Sequence, residues 1–361
     1  MMDGVVDRVR LAARVTLAVA MGLAVVASSA APASGRSEPA ARCRPPSGYT
    51  TVVAVPGRNL PGFPWWKGLT TDHTPPGGVG GRNIDANDRG EVLHEWDDPV
   101  AGQRRTGVWR NGHTTVIDTS SGLAEAREIN ERGDVLFTNG VWQRGRARLI
   151  VAPEGSDFNV IAGHLGDGGH VAGSRVNRPG PGGGHPSPDK GFVWRNGAIT
   201  YVVLPEPEAI TFPVDIDRFG RTVFEAYGSS VLWDDGEIVR LGTLGGLYAG
   251  SNAMNDRGQV VGGSNLASGE AHAFLWEDGR MTDLHPVAGV TSNAIEVNEK
   301  GDAVGVVRTA VTPPRSVVWT CGRTVDLGID SYENFPYRIN DAGQVLSQDN
   351  GQVLVSTPIR R

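Results

Sequence analysis

From about residue 48 onward, short apolar runs alternate with clusters of Asn, Asp and Gly, and no stretch carries a helical period. Two signatures punctuate these runs. The first is apolar-Asn-acidic-x-Gly followed by two apolar residues. It is clearest at Ile129-Asn130-Glu131-Arg132-Gly133, Met254-Asn255-Asp256-Arg257-Gly258, Val297-Asn298-Glu299-Lys300-Gly301 and Ile339-Asn340-Asp341-Ala342-Gly343, with weaker copies around Gly90, Gly169 and Gly220. The second is Trp-x-x-Gly with an apolar residue five positions after the Gly, at Trp109, Trp142, Trp194, Trp233, Trp276 and Trp319.

Each signature predicts a hairpin. Asn-acidic-x-Gly suits a type I turn closed by a left-handed Gly, the Asn side chain capping the turn. Arg195-Asn196-Gly197, Asp234-Asp235-Gly236 and Glu277-Asp278-Gly279 are expected to do the same after Trp. The unit is therefore strand a, turn, strand b, loop, strand c carrying Trp, turn, strand d, repeated about every 42 residues.

Four short strands in that length make a β-propeller blade, and a blade buries its two apolar faces only by stacking on its neighbours. The repeated Trp is the expected packing residue. Seven anchors predict an all-β propeller of seven four-stranded blades, with six or eight as alternatives. The last unit stops after its c strand (Gln352–Val355), whereas an orphan strand, Gly48–Val55, opens the repeat region. That orphan is expected to supply the missing d strand and close the ring.

The best-preserved copy runs Leu241-Gly242-Thr243-Leu244-Gly245-Gly246, then Asn252 to Gly262, then His272-Ala273-Phe274-Leu275-Trp276. It resembles the HAF family of bacterial extracellular repeats, whose His-Ala-Phe tripeptide is matched by His272-Ala273-Phe274. The resemblance covers roughly residues 48 to 356 and implies a secreted repeat protein without an assigned reaction. Other copies depart from it, with Gly166 and Asp217 standing where Asn is expected.

The N-terminus adds a targeting expectation. Arg8, Arg10 and Arg14 precede the uncharged apolar run Val15 to Val26, too short for a comfortable bilayer span and followed by Ala31-Pro32-Ala33. Residues 1–33 read as a signal peptide, 34–47 as an N-terminal lead and 48–357 as the propeller domain, so an extracellular location without membrane insertion is expected. The chain's formal charge is −6 and it holds no basic cluster, which excludes nucleic acid and anionic lipid as partners. A monomer is expected.

An exported chain with two cysteines permits one disulfide. Cys321 lies in the Trp-x-x-Gly turn of the sixth unit, and Cys43 lies five residues before Gly48, which occupies the equivalent turn of the seventh. Five extended residues reach roughly 17 Å, so a Cys43–Cys321 staple is sterically reasonable; two free thiols are the alternative. The turn acids Asp88, Glu131, Asp167, Asp256, Glu299 and Asp341 would encircle one end of a ring. Cation binding there is one reading, and the ordinary preference of exposed turns for acids is the stronger one.

Three tryptophans fall outside the repeat. Trp65 and Trp66 lie in the long loop before the first a strand, and Trp96 lies in the first b-to-c loop, which leaves the ring at the same end. Phe63, Trp65, Trp66 and Trp96, with Asp97 and Arg104 beside them, are the candidate binding residues for an extracellular glycan or protein; a hydrophobic plug over the channel is the competing reading. Asp72, His73, Asp98 and Arg105 stand nearby in sequence. His164 and His170 have a weak metal spacing without an obvious third ligand. There is no Gly-x-Ser-x-Gly nucleophile turn and no phosphate loop, and no cofactor is implied. A secreted binding module is the favoured reading. An extracellular polysaccharide hydrolase or lyase, its residues converging from several loops, is the alternative.

Overall fold

A computed structural model of the chain describes residues 43–54, 63, 71–154, 158–177, 188–204, 211–226, 228–330, 335–349 and 352–359. These residues form seven antiparallel four-stranded sheets. Blades I to VI span residues 79–117, 126–149, 158–201, 211–240, 245–283 and 290–330, each a simple meander. Blade VII is made from Phe335–Ile339, Val345–Asp349 and Gln352–Pro358, and its fourth strand is Tyr49–Val53 from the other end of the chain. The c strand of this blade runs to Pro358, so the pairing register extends from Tyr49 opposite Pro358 to Val53 opposite Leu354.

The two turn signatures differ in geometry. After Asn87, Asn130, Asn255, Asn298 and Asn340 the turn closes with the Gly amide donating to the Asn carbonyl, and the Gly is left-handed, as in Gly133 (φ 79°). The Trp-x-x-Gly turns are tighter two-residue type I′ turns rather than copies of the first kind. Their residue before Gly is left-handed too: Asn111, Arg144, Asn196, Asp235, Asp278 and Cys321 have φ between 46° and 53°.

The core is divided among the blade interfaces. Seven buried apolar clusters each draw on two consecutive blades, and the seventh joins blade VII to blade I through Ala54, Leu346, Val353 and Val355 on one side and Phe63, Ala86 and Val92 on the other. The sheets thus close a ring. Each repeat Trp packs toward the preceding blade: Trp194 on blade II, Trp233 on III, Trp276 on IV and Trp319 on V. In blade VII the equivalent position is Ser356, which pairs with Val345 as Trp109 pairs with Val92. Ser356 exchanges a 2.7 Å hydrogen bond with Thr51, and Leu327, Ile329 and Tyr49 fill the space instead.

The first strands approach one another from blade I through blade VII and so line the channel. All seven carry a bulge at the same place, two to three residues before the turn anchor. Cys43 and Cys321 are joined by a disulfide with a Cα separation of 5.6 Å, tying the lead of the closing strand to blade VI.

The turn acids do not stand free. The carboxylate of Glu131 accepts from the Asp88 amide (2.7 Å), Asp167 from Glu131, Asp256 from Arg218, Glu299 from Asp256 and Asp341 from Glu299. They form a belt from blade to blade, so both readings given above are incomplete: the acids are neither an open cation ring nor only turn formers.

Candidate functional site

The bulges set one residue per blade at a common level of the channel: Asp85, Glu128, His164, Asp215, Ala253, Glu296 and Arg338. A bulge puts two successive side chains on one face of a strand, which is why simple alternation does not reveal this ring. The signal was nonetheless present, as the column two places before each turn anchor. Some members strap neighbouring blades, since Asp85 accepts from the Ile129 amide (2.9 Å), Glu128 from Leu165 (2.9 Å) and Asp215 from Met254 (2.8 Å).

The ring members also act on each other across the channel, Arg338 being biased by Glu296, Asp85 and Asp215. Burial pushes the Asp85 carboxyl up to about 6, with Glu128 adding to the rise and the Ile129 amide and Arg338 opposing it. Burial likewise lifts Glu296 to about 7 against the pull of Arg338. Burial would lower His164, but Glu128, 3.4 Å away, and Asp215 outweigh it and raise the imidazole. Both His164 and Glu128 still meet solvent, with about a third of each side chain exposed (38% and 33%). Among the described residues, no three His, Cys, Asp or Glu side chains stand close enough to hold a metal ion.

Three residues further up the innermost strands, roughly 10 Å toward the d-to-a loops, the lining changes character. Ile161, Phe212 and Phe335 occupy equivalent positions there and are 42%, 45% and 37% exposed despite lying on the innermost strands. Arg308 lies over the Phe335 ring at 5.8 Å.

Phe212 is paired directly with Glu225 on the next strand. The corresponding pair in blade I is Arg82 with Glu95, where the guanidinium neutralises the carboxylate at 2.8 Å. Among the described residues no such cation stands beside Glu225. It accepts from the Ser251 amide (3.1 Å) of the following blade, and burial lifts it to about 7 against that bond and the Ser230 hydroxyl. Opposite it stands Gly250. A Cβ on Gly250 would lie 3.0 Å from the Glu225 carboxyl oxygen and 2.9 Å from the Tyr248 hydroxyl, so the missing side chain lets both groups pack close against the backbone there.

The loop aromatics predicted from sequence are arranged differently. Phe63 is a core residue between blades VII and I. Trp65 and Trp66 lie outside the described residues. Trp96 is buried and stacked on His94 (4.9 Å between ring centroids), and His73 stacks on Trp109 at 4.0 Å. Asp97 and Arg104 form an exposed ion pair at 3.0 Å, and Asp98 pairs with Arg105 at 3.3 Å. Trp96 therefore offers no open stacking face, because Gly78 and Gly107 pack against its ring. Burial pushes His94 down to about 4, with His73 adding to the effect.

No family model and no curated protein matches the chain. Several solved structures are similar to it. A Mycobacterium tuberculosis puromycin-hydrolyzing peptidase shares 13% identity at a TM-score of 0.37, over 88% of this chain and 56% of the peptidase. The β-propeller domain of the Trilobed protease from Pyrococcus furiosus shares 14% at 0.32, over 70% and 99%. Aleuria aurantia lectin shares 9% at 0.27, over 80% and 98%. The chain thus spans little more than half the length of the peptidase. Likeness at this level says nothing about activity. Among the described residues no helix is long and apolar enough to cross a membrane.

Proposed function

We propose that this chain is an exported HAF-type propeller that binds an extracellular polymer, glycan or protein, at the mouth of its channel. The observation that carries the reading is the exposure of Ile161, Phe212 and Phe335 on the innermost strands, where burial would otherwise be expected. Apolar side chains exposed at a concavity, with ionisable groups below them, are what a ligand site requires: apolar contact for affinity and a few polar groups for orientation.

The test is a screen of the exported protein against glycan arrays and displayed peptides, with Phe212→Ala/Phe335→Ala as the paired variant. A ligand whose affinity falls at least tenfold in the variant supports the reading. Unchanged affinity overturns it. Sequencing the N-terminus of protein recovered from culture medium tests export, and a start near residue 34 is expected.

A hydrolase or lyase is the second reading, favoured by the convergence of Asp85, Glu296 and Arg338 in one channel, where burial lifts the two carboxyls to about 6 and about 7. Carboxyls so tuned suit general acid or base work. The backbone straps on Asp85, Glu128 and Asp215 give this ring a structural role already, which ranks the reading second. Release of reducing ends or unsaturated sugars that disappears in Glu296→Gln would establish it.

A further inference from the structure

We infer that the turn end of the ring carries a second binding site, at the junction of blades III and IV, which takes an Asp or Glu carboxylate presented by an acidic peptide segment of a partner. The site lies at the opposite end of the channel from the mouth and does not depend on the mouth reading.

The belt of turn acids supplies the geometry. At junctions I/II, II/III, IV/V, V/VI and VI/VII the amide of one turn donates to the carboxylate of Glu131, Asp167, Asp256, Glu299 or Asp341 in the next blade, at 2.7–2.9 Å. Asp88 stands at the same position in blade I, and blade IV breaks the series with Arg218. The Asp167 amide would meet the blade IV carboxylate. Among the described residues it has no hydrogen-bond acceptor.

Arg218 turns toward the other neighbour. Its backbone amide and its guanidinium Nε face Asp256 of blade V, at 2.8 Å and 3.5 Å, and the guanidinium lies over the Phe219 ring at 4.8 Å. The side chain is 57% exposed, and among the described residues its two terminal amino groups make no hydrogen bond. An unmet backbone donor and an unmet guanidinium thus belong to the one junction whose turn position holds no acid. The surroundings are cationic. Arg195 reaches in from blade III to donate to the Phe219 carbonyl (2.8 Å), and Arg221 is held by the fully buried Asp217. His170 is kept below its ordinary value by burial first and then by Arg195 and Arg132. Phe219 is 51% exposed at a position held by Arg89, Arg132, Arg257 and Lys300 in other blades, where each cation binds an acid or a carbonyl of the ring. An exposed aromatic ring among arginines has the composition of an interface hot spot.

An acidic peptide fits because its Asp or Glu side chain reproduces the group that the other junctions already hold. It accepts from the Asp167 amide as Asp167 itself accepts from Glu131, and from Arg218 in a charge-assisted bond. The belt acids on either side are no obstacle, since Glu131 and Glu299 each stand between two acids already. A neutral segment would cover these donors without satisfying them. A uronic acid carries its carboxyl directly on the sugar ring, without the methylene stem by which the belt carboxylates reach the neighbouring turn.

The test probes the exported protein with displayed acidic peptides, and with oligogalacturonate and sulfate as other sources of anion. Arg218→Glu is the decisive variant, because it supplies from within the carboxylate that the junction lacks. The expected result is an acidic peptide whose affinity falls at least tenfold in Arg218→Glu and severalfold in Phe219→Ala, while the melting temperature of Arg218→Glu rises. The same peptide should shift the Asp167 amide resonance of the native protein. Unchanged affinity in Arg218→Glu overturns the site, and so does a loss confined to Phe212→Ala/Phe335→Ala, which would place the peptide at the mouth. A lowered melting temperature in Arg218→Glu would contradict the belt geometry from which the site is read. If only oligogalacturonate or sulfate binds, the peptide assignment is wrong. If no anion binds, the site falls and the mouth reading is untouched.

Discussion

The side-chain amide of Asn255 donates to the backbone carbonyl of Asn298, one blade further on, at 2.8 Å, while its own carbonyl caps the turn by accepting from the amides of Arg257 and Gln259. The same bond joins Asn87 to Asn130 and Asn298 to Asn340. The turn residue is thus also an inter-blade tie. In blade IV Asp217 cannot donate, and Arg221, held by Asp217 at 2.6 Å, ties the blades instead by donating to the Asp256 carbonyl, one residue beyond the anchor Asn255.

Asn255→Ala should therefore cost about 1–3 kcal/mol, the range for a buried group left without its partner. Copying blade IV, with Asn255→Asp together with Gln259→Arg, should recover more than half of that loss in urea unfolding. Recovery by Asn255→Asp alone would show that only the turn cap matters.

The ring is closed by a single strand whose start is fastened to blade VI through Cys43 and Cys321, 278 residues apart. Cys321→Ser should lower stability by about 2–4 kcal/mol. Reductant should do the same to the native protein and nothing to the variant, as read by denaturant midpoints.

The channel ring predicts a pH dependence of definite sign. Glu296 titrates at about 7 when folded, above its ordinary 4.5, with Arg338 and Asp215 as the charged groups acting on it. Its stabilising contribution is complete below the ordinary value and is lost as pH rises through 7. Glu296→Gln should raise the melting temperature at pH 8, by the equivalent of about 1 kcal/mol after allowance for water in the channel, and leave it unchanged at pH 4. The pH profile of calorimetric melting checks this.

Much of the fold was legible because its determinants are local. Turn residues such as Asn255 and Gly258 announce themselves, and the Trp276 spacing marks the strand that follows. The strand at residue 49 is legible because the last unit lacks a d strand of its own. The site was far less legible. Trp96 is conspicuous in sequence, yet Gly78 and Gly107 let its ring sink against the blade. Glu225 is inconspicuous, and only the packed ring shows Gly250 admitting its carboxyl and the Tyr248 hydroxyl across the interface. The bulge two to three residues before each turn anchor hid the channel ring for the same reason, since it breaks the alternation by which strand faces are read.

Ligand uptake at the channel mouth is tested most directly by hydrogen–deuterium exchange with the tightest array ligand. Protection is predicted for the segments around Phe212, Glu225, Tyr248 to Ser251 and Phe335. Protection confined to the blade I hairpin around Trp96 to Arg105, with the mouth unchanged, would contradict it.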